Sequence, residues 1–275
     1  MEEFTRVGTV LRSCAATVAC GALLSFAASP LLLAADSSPA AADTRKPSAS
    51  MPNPRTAMTG QWGRYPEIGE TPLPQFPPPP PIPPAPLKPQ YKAEWDARRK
   101  VVADAEAAGK PLYSNYTACL PDGMPAMMMG MFPMEVLQTP GQITIIQEAY
   151  NQVRRIYLKG ELPSFEDAEP LFWGHSSGKW QGDTLVVDTI GIKEDVRFRD
   201  VPHSNQMHIL ERLRLLSPNM MEDIVTVTDP VYLDGPWQFK WIYKRMPGYH
   251  MLEYVCESNR EYQDESGAAR MRIGK

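Results

Sequence analysis

The chain reads as mainly β, an antiparallel meander that closes into a barrel or tightly rolled sheet, with one N-terminal helix and a proline-rich spacer ahead of it. Three observations predict this. After Cys119 the sequence falls into runs of alternating apolar and polar residues, bounded by Gly, Pro, Asn or Asp. Residues 91–109 combine Ala, Glu, Lys and Arg with a terminal glycine, the pattern of a helix and its stop. Residues 36–89 are rich in Ala, Ser and Pro and culminate in FPPPPPIPPAP at 76–86, a composition that cannot build a core.

Taken in order, residues 1–12 carry Arg6 and Arg12, and 13–35 are uncharged and end in Ala34-Ala35 before Asp36. A basic start, an apolar middle and a small-residue end predict a signal peptide over 1–35 and a periplasmic or secreted protein. The alternative is an uncleaved membrane anchor, because the uncharged run is about as long as a bilayer-spanning helix. Gly21 and Pro30 favour cleavage, and Thr17 speaks against lipid attachment at Cys20. The spacer, 36–90, should be extended polyproline II, acting as a linker or as a strap on the surface, with a short Gly60-Gln61-Trp62 island inside it. The helix follows over 91–110, the barrel domain over 111–262, and a flexible tail over 263–275.

Four hairpins are expected within the barrel domain. The first pairs 142–149 with 152–158 through Tyr150-Asn151, and the second pairs 178–180 with 184–190 through Gln181-Gly182-Asp183. A third pairs 208–216 with 222–228 through Ser217-Pro218-Asn219, and the last pairs 237–245 with 250–258 through Pro247-Gly248. A meander of this size closes to remove its unpaired edges, and a small closed barrel has room for about one small guest.

Charge and cysteine content narrow the function. The formal net charge is −4 and the basic residues are scattered among more numerous acids, so a nucleic-acid partner is not expected. Contact with a membrane is expected only through the signal segment if it stays uncleaved. Of the four cysteines, Cys14 and Cys20 leave with the signal. Cys119 and Cys256 remain as a matched pair in an oxidising compartment, which predicts a disulfide worth on the order of 4 kcal/mol; two separate buried thiols are the alternative.

Two stretches carry resemblances. The segment from Trp173-Gly174-His175-Ser176-Ser177-Gly178-Lys179-Trp180 through Gly182-Asp183-Thr184-Leu185-Val186-Val187-Asp188-Thr189 resembles the signature of a large family of exported bacterial proteins of unknown function. Cys119-Leu120-Pro121-Asp122-Gly123-Met124-Pro125, the QVRRIYL run at 152–158 and Pro202-His203-Ser204 extend the likeness over most of the chain from Gly60 onward. The chain departs from that family at Met124 to Met134, which lacks an arginine expected soon after Met-Pro. Gly60-Gln61-Trp62 is similar to the G-x-W of lipocalin-like barrels, and this resemblance implies a first strand whose tryptophan plugs one end.

Candidate chemistry follows from residues that break the face pattern. Glu211 shares a strand face with Ile209, Leu213 and Leu215, Arg154 with Ile156 and Leu158, and Glu253 with Met251 and Val255. A buried charge needs a partner, so Arg154 and Glu211 are expected to pair or to face a wet pocket. His175, His203 and His208 stand at loop-to-strand junctions, where they could meet at one rim. A His-x4-His spacing is not a zinc pattern, so no cofactor is assigned, and a metal is the lesser alternative, needing an oxygen ligand from Asp183, Asp188 or Asp200. Met128 and its neighbours, with Trp241, suit an adaptable apolar lining. Asp183 fits a hairpin turn and is also a candidate ligand contact.

Together these readings predict an exported β-barrel that binds an apolar or aromatic small molecule, with Arg154, Asp183, His208, Trp241 and Met128 as ligand contacts. The alternative is a cofactor-independent lyase, isomerase or hydrolase in the same cavity, using His175 or His203 as general base and Glu211 as its acid partner.

Overall fold

The computed structural model describes residues 51–110, 112, 115, 118–256, 261–266 and 269–271. The expected signal peptide, the first part of the spacer and the extreme C-terminus lie outside the described residues. The chain forms a closed barrel of strands β1 (Gly60–Arg64), β2 (Met134–Thr139), β3 (Gln142–Gln147), β4 (Gln152–Tyr157), β5 (His175–Gln181), β6 (Thr184–Ile190), β7 (His208–Ser217), β8 (Met220–Thr228) and β9 (Trp237–Arg245). Alternation along each strand sends one set of side chains inward, and these inward residues form the core.

The predicted hairpins at 142–158, 178–190 and 208–228 form, with Tyr150 and Asn151 both at positive φ in the first turn. Four features differ from the simple meander. Strand β1 comes from the segment expected to be spacer, and it pairs with both β2 and β9, closing the ring. Strand β2, which the sequence reading passed over, fills the place between them. The expected last strand, 250–258, does not form within its described part: Leu252, Glu253 and Val255 are exposed, because β1 already occupies the free edge of β9. Glu253 is therefore not an inward-facing charge.

The fourth difference is the pairing of β4 with β5, which is parallel and limited to Ile156↔Ser176 and Tyr157↔Ser177. Parallel neighbours need a long return path. Here the segment 158–174 supplies it, running outside the barrel. Two motif glycines make the turns around it possible: a Cβ on Gly174 would lie 2.3 Å from the Ile190 carbonyl, and one on Gly123 would lie 2.5 Å from the Phe172 carbonyl. Both have positive φ, where glycine alone is unstrained.

Each end of the barrel is covered. At one, the Trp62 indole N–H donates to the Met58 carbonyl at 2.8 Å, just after helix α1 (Pro54–Ala57), and the Arg245 guanidinium sits 4.2 Å over the Trp62 ring. The other end is filled by Met124, Met127 and Met128; the Met128 carbonyl accepts from Tyr243 Oη and the Met127 carbonyl from Gln147 Nε2. The proline-rich segment is a strap, with Leu87 bridging to Leu233 and the Pro83 carbonyl accepting from Trp237 Nε1 at 2.8 Å. Helix α2 (Pro89–Ala107) docks beside it through Tyr91 and Trp95. It stops at Gly109, where the Lys110 and Gly109 N–H groups turn back to the Ala105 and Glu106 carbonyls.

Cys119 and Cys256 form a disulfide across a sequence separation of 137. Beyond it, the described residues form a small hairpin of β10 (Glu261–Gln263), which straddles the expected end of the barrel domain, and β11 (Ala269–Met271), which lies within the expected tail. Among the described residues, no helix is long and apolar enough to cross a membrane.

Candidate functional site

The barrel interior holds a charge network. Arg154 donates to both oxygens of Glu211, through Nη1 at 2.8 Å and through Nη2, and also to Ser176 Oγ at 3.2 Å and Thr189 Oγ1 at 2.9 Å. Arg154 and Glu211 are 1% and 0% exposed. Register explains the meeting: Ile156↔Ser176, Ser176↔Thr189 and Val187↔Glu211 carry the inward face from β4 to β7. Arg154 thus spans, with its side chain, the part of the β4–β5 seam that lacks backbone pairing.

Asp223 lies next in this network. It is fully buried, and among the described residues neither of its oxygens meets a donor. Burial first, then the negative charge of Glu211, pushes its carboxyl well above the usual carboxylate range. Protonated, it becomes the donor to Glu211. The Tyr243 hydroxyl is likewise pushed well above its usual range, by burial and then by Asp223. Trp241, opposite Asp223 on β9, is core, and its indole N–H has no partner among the described residues.

This interior is occupied by the protein itself. Trp62, Met124, Met128, Ile145, Val225 and Tyr243 are all at most 1% exposed, which leaves no water-sized void beside them. A cavity of about 20 Å³ near Met124, His203 and Asp229 has room for about one water molecule. The expected guest chamber is therefore corrected: side chains from all nine strands, together with the methionine plug, fill it. Met128 serves as plug.

The histidines do not converge. His203 is buried, its Nε2 3.0 Å from the Lys193 and Val196 carbonyls and its Nδ1 3.1 Å from the Ser204 carbonyl. It clasps the loop 191–207. His175 Nε2 lies 2.8 Å from the Glu169 carbonyl, and because a carbonyl only accepts, that nitrogen carries the proton. His208 faces outward, with Nε2 2.9 Å from Asp188 Oδ1. Glu211, sealed inside, reaches none of them. Asp183 is exposed in the β5–β6 turn, accepting from the Thr184 hydroxyl at 3.1 Å.

Accessible volume lies outside the barrel, along the crossover. Gly160 to Pro163 form a rib across the outer face, with a groove on each side. The first, about 700 Å³, follows the β4–β5 seam and is lined by Arg155, Tyr157, Lys159, Phe172, Trp173 and Lys193. The second, about 830 Å³, crosses β5–β7 and contains Lys179, Asp188, His208, Phe165 and Ile190. The Asp188–His208 pair is 44% and 31% exposed on its two side chains, open to a molecule in that groove. Among the described residues, no group of three or more His, Cys, Asp or Glu is placed to hold a metal ion.

The sequence reading missed the first groove, although its signal was present. In the run at 152–158, the same alternation that turns Arg154 inward turns Arg155 and Tyr157 outward. The fold and these sites define a closed β-barrel with a plugged interior and an external, crossover-bounded cleft. Comparison of the chain with protein-family models and with curated proteins finds no match.

Proposed function

We propose that the protein is an exported β-barrel that binds a small apolar or aromatic molecule in the outer groove along the β4–β5 seam. The observation that carries this reading is the groove itself: about 700 Å³, within the usual size of small-molecule sites, with Tyr157, Phe172 and Trp173 on its walls and charged groups beside them. Tyr157 is 51% exposed, an aromatic surface with no core to serve. The Cys119–Cys256 disulfide supports an oxidising compartment, and the signal-like segment and the signature at 173–189 support export.

The test is ligand binding read by tryptophan fluorescence, together with mass spectrometry of small molecules that copurify with the protein. Tyr157→Ser should weaken binding of an aromatic ligand about tenfold while leaving the unfolding midpoint unchanged, since stacking contacts are lost with the ring. Unchanged affinity in that variant defeats the assignment to this groove.

A second reading has its own observation, the Asp188–His208 pair. Asp188 orients the ring, leaving Nδ1 of His208 as a general base for a cofactor-independent lyase, isomerase or hydrolase in the second groove. His208→Asn should then abolish turnover and leave binding in the first groove intact.

A further inference from the structure

The walls of the seam groove carry more than apolar surface. Arg155, Tyr157 and Lys159 share the outward parity of β4 and its continuation, so a guanidinium and an ammonium flank the exposed ring. Lys193 comes from the opposite wall, with its ammonium 4.8 Å from the centre of the Phe172 ring. Among the described residues none of these three cations is in an ion pair, whereas Arg214 and Lys240 share Glu222, and Lys244 pairs with Glu70. Among the described residues Glu161 is the one acid on the groove's walls, against the three basic residues Arg155, Lys159 and Lys193. The protein as a whole is negative, at −4, so this groove is a local reversal of its field.

From this arrangement we infer that the ligand of the seam groove is an aromatic acid. Its ring lies against Tyr157 and the Phe172–Trp173 wall, and its carboxylate is taken by Arg155 with Lys159 and Lys193 in support. A guanidinium matches a carboxylate with two parallel hydrogen bonds, and the neighbouring ammonium groups lower the cost of bringing the anion onto an apolar wall. The inference rests on the binding reading above and adds the charge of the ligand to it.

The experiment compares three probes on the full chain as exported: 2-naphthoate, its neutral amide, and inorganic phosphate. The acid should bind about tenfold more tightly than the amide, and that preference should fall to about twofold in Arg155→Gln, an exposed position whose change leaves the fold intact. Lys193→Gln should lower affinity for the acid, and Glu161→Gln should raise it. Raising ionic strength from about 20 to about 300 mM should weaken the acid and leave the amide unaffected. Equal affinity for acid and amide overturns the charge assignment while the aromatic site stands. Phosphate binding as tightly as the acid, with no contribution from the ring, overturns it in favour of a plain anion site. Failure of both aromatic probes removes the binding reading and this inference together.

Discussion

Arg154 occupies the place where the β4–β5 ladder runs out, and it is held there by Glu211, Ser176 and Thr189. Removing it alone leaves a buried, uncompensated carboxylate, so Arg154→Met should cost about 3–5 kcal/mol, read from the urea midpoint. The double variant Arg154→Met, Glu211→Leu should recover part of that loss; no recovery would mean that Arg154 acts mainly by closing the seam. Asp223 makes a prediction with a defined sign. Its folded carboxyl titrates well above the ordinary carboxylate range, so between the unfolded and the raised folded value the folded state holds a proton that the unfolded state has lost. Stability is therefore fully present below the unfolded value of about 3.9 and is lost as pH rises through the raised folded value. Asp223→Asn removes this dependence. Relative to wild type it should gain stability with rising pH, by up to about 1.4 kcal/mol per pH unit within that window, measured by denaturation at several pH values.

The disulfide ties the strand-free segment after β9 to the loop that leads into the methionine plug. Cys256→Ser should lower stability by roughly 2–5 kcal/mol in denaturant titrations, as expected for a bridge closing so long a loop. At this scale the sequence was legible wherever hydrophobic alternation met a turn: β3 with β4, β5 with β6 and β7 with β8 could all be found that way. The pattern misled at Met251, Glu253 and Val255, where three residues alternate as in a strand but no neighbouring edge is free to accept them. Strand β2 hid behind a methionine-rich run whose composition drew attention away from the Thr139-Pro140-Gly141 turn that follows it. The pair Arg154 and Glu211 was readable from strand phase alone. The seam groove was not, because its walls come from β4, from the crossover and from residues 171–193, and no periodicity links them.

Across the whole molecule, side chains rather than a ligand fill the centre, and the usable surface lies outside. A rigid, filled cylinder holds a seam at fixed width, so ligand binding in the groove should leave the barrel unchanged and alter amide exchange chiefly in the 158–174 segment; protection changes spread evenly over β6–β9 would contradict this. The ring also imposes an order of events. Strand β1 needs β2 on one side and β9 on the other. Synthesis proceeds from the N-terminus, so β1 emerges early but cannot complete its pairing until residues 237–245 exist. Until then the nascent sheet presents raw edges at β1 and β8, and a product that stops short of β9 has no means of hiding them.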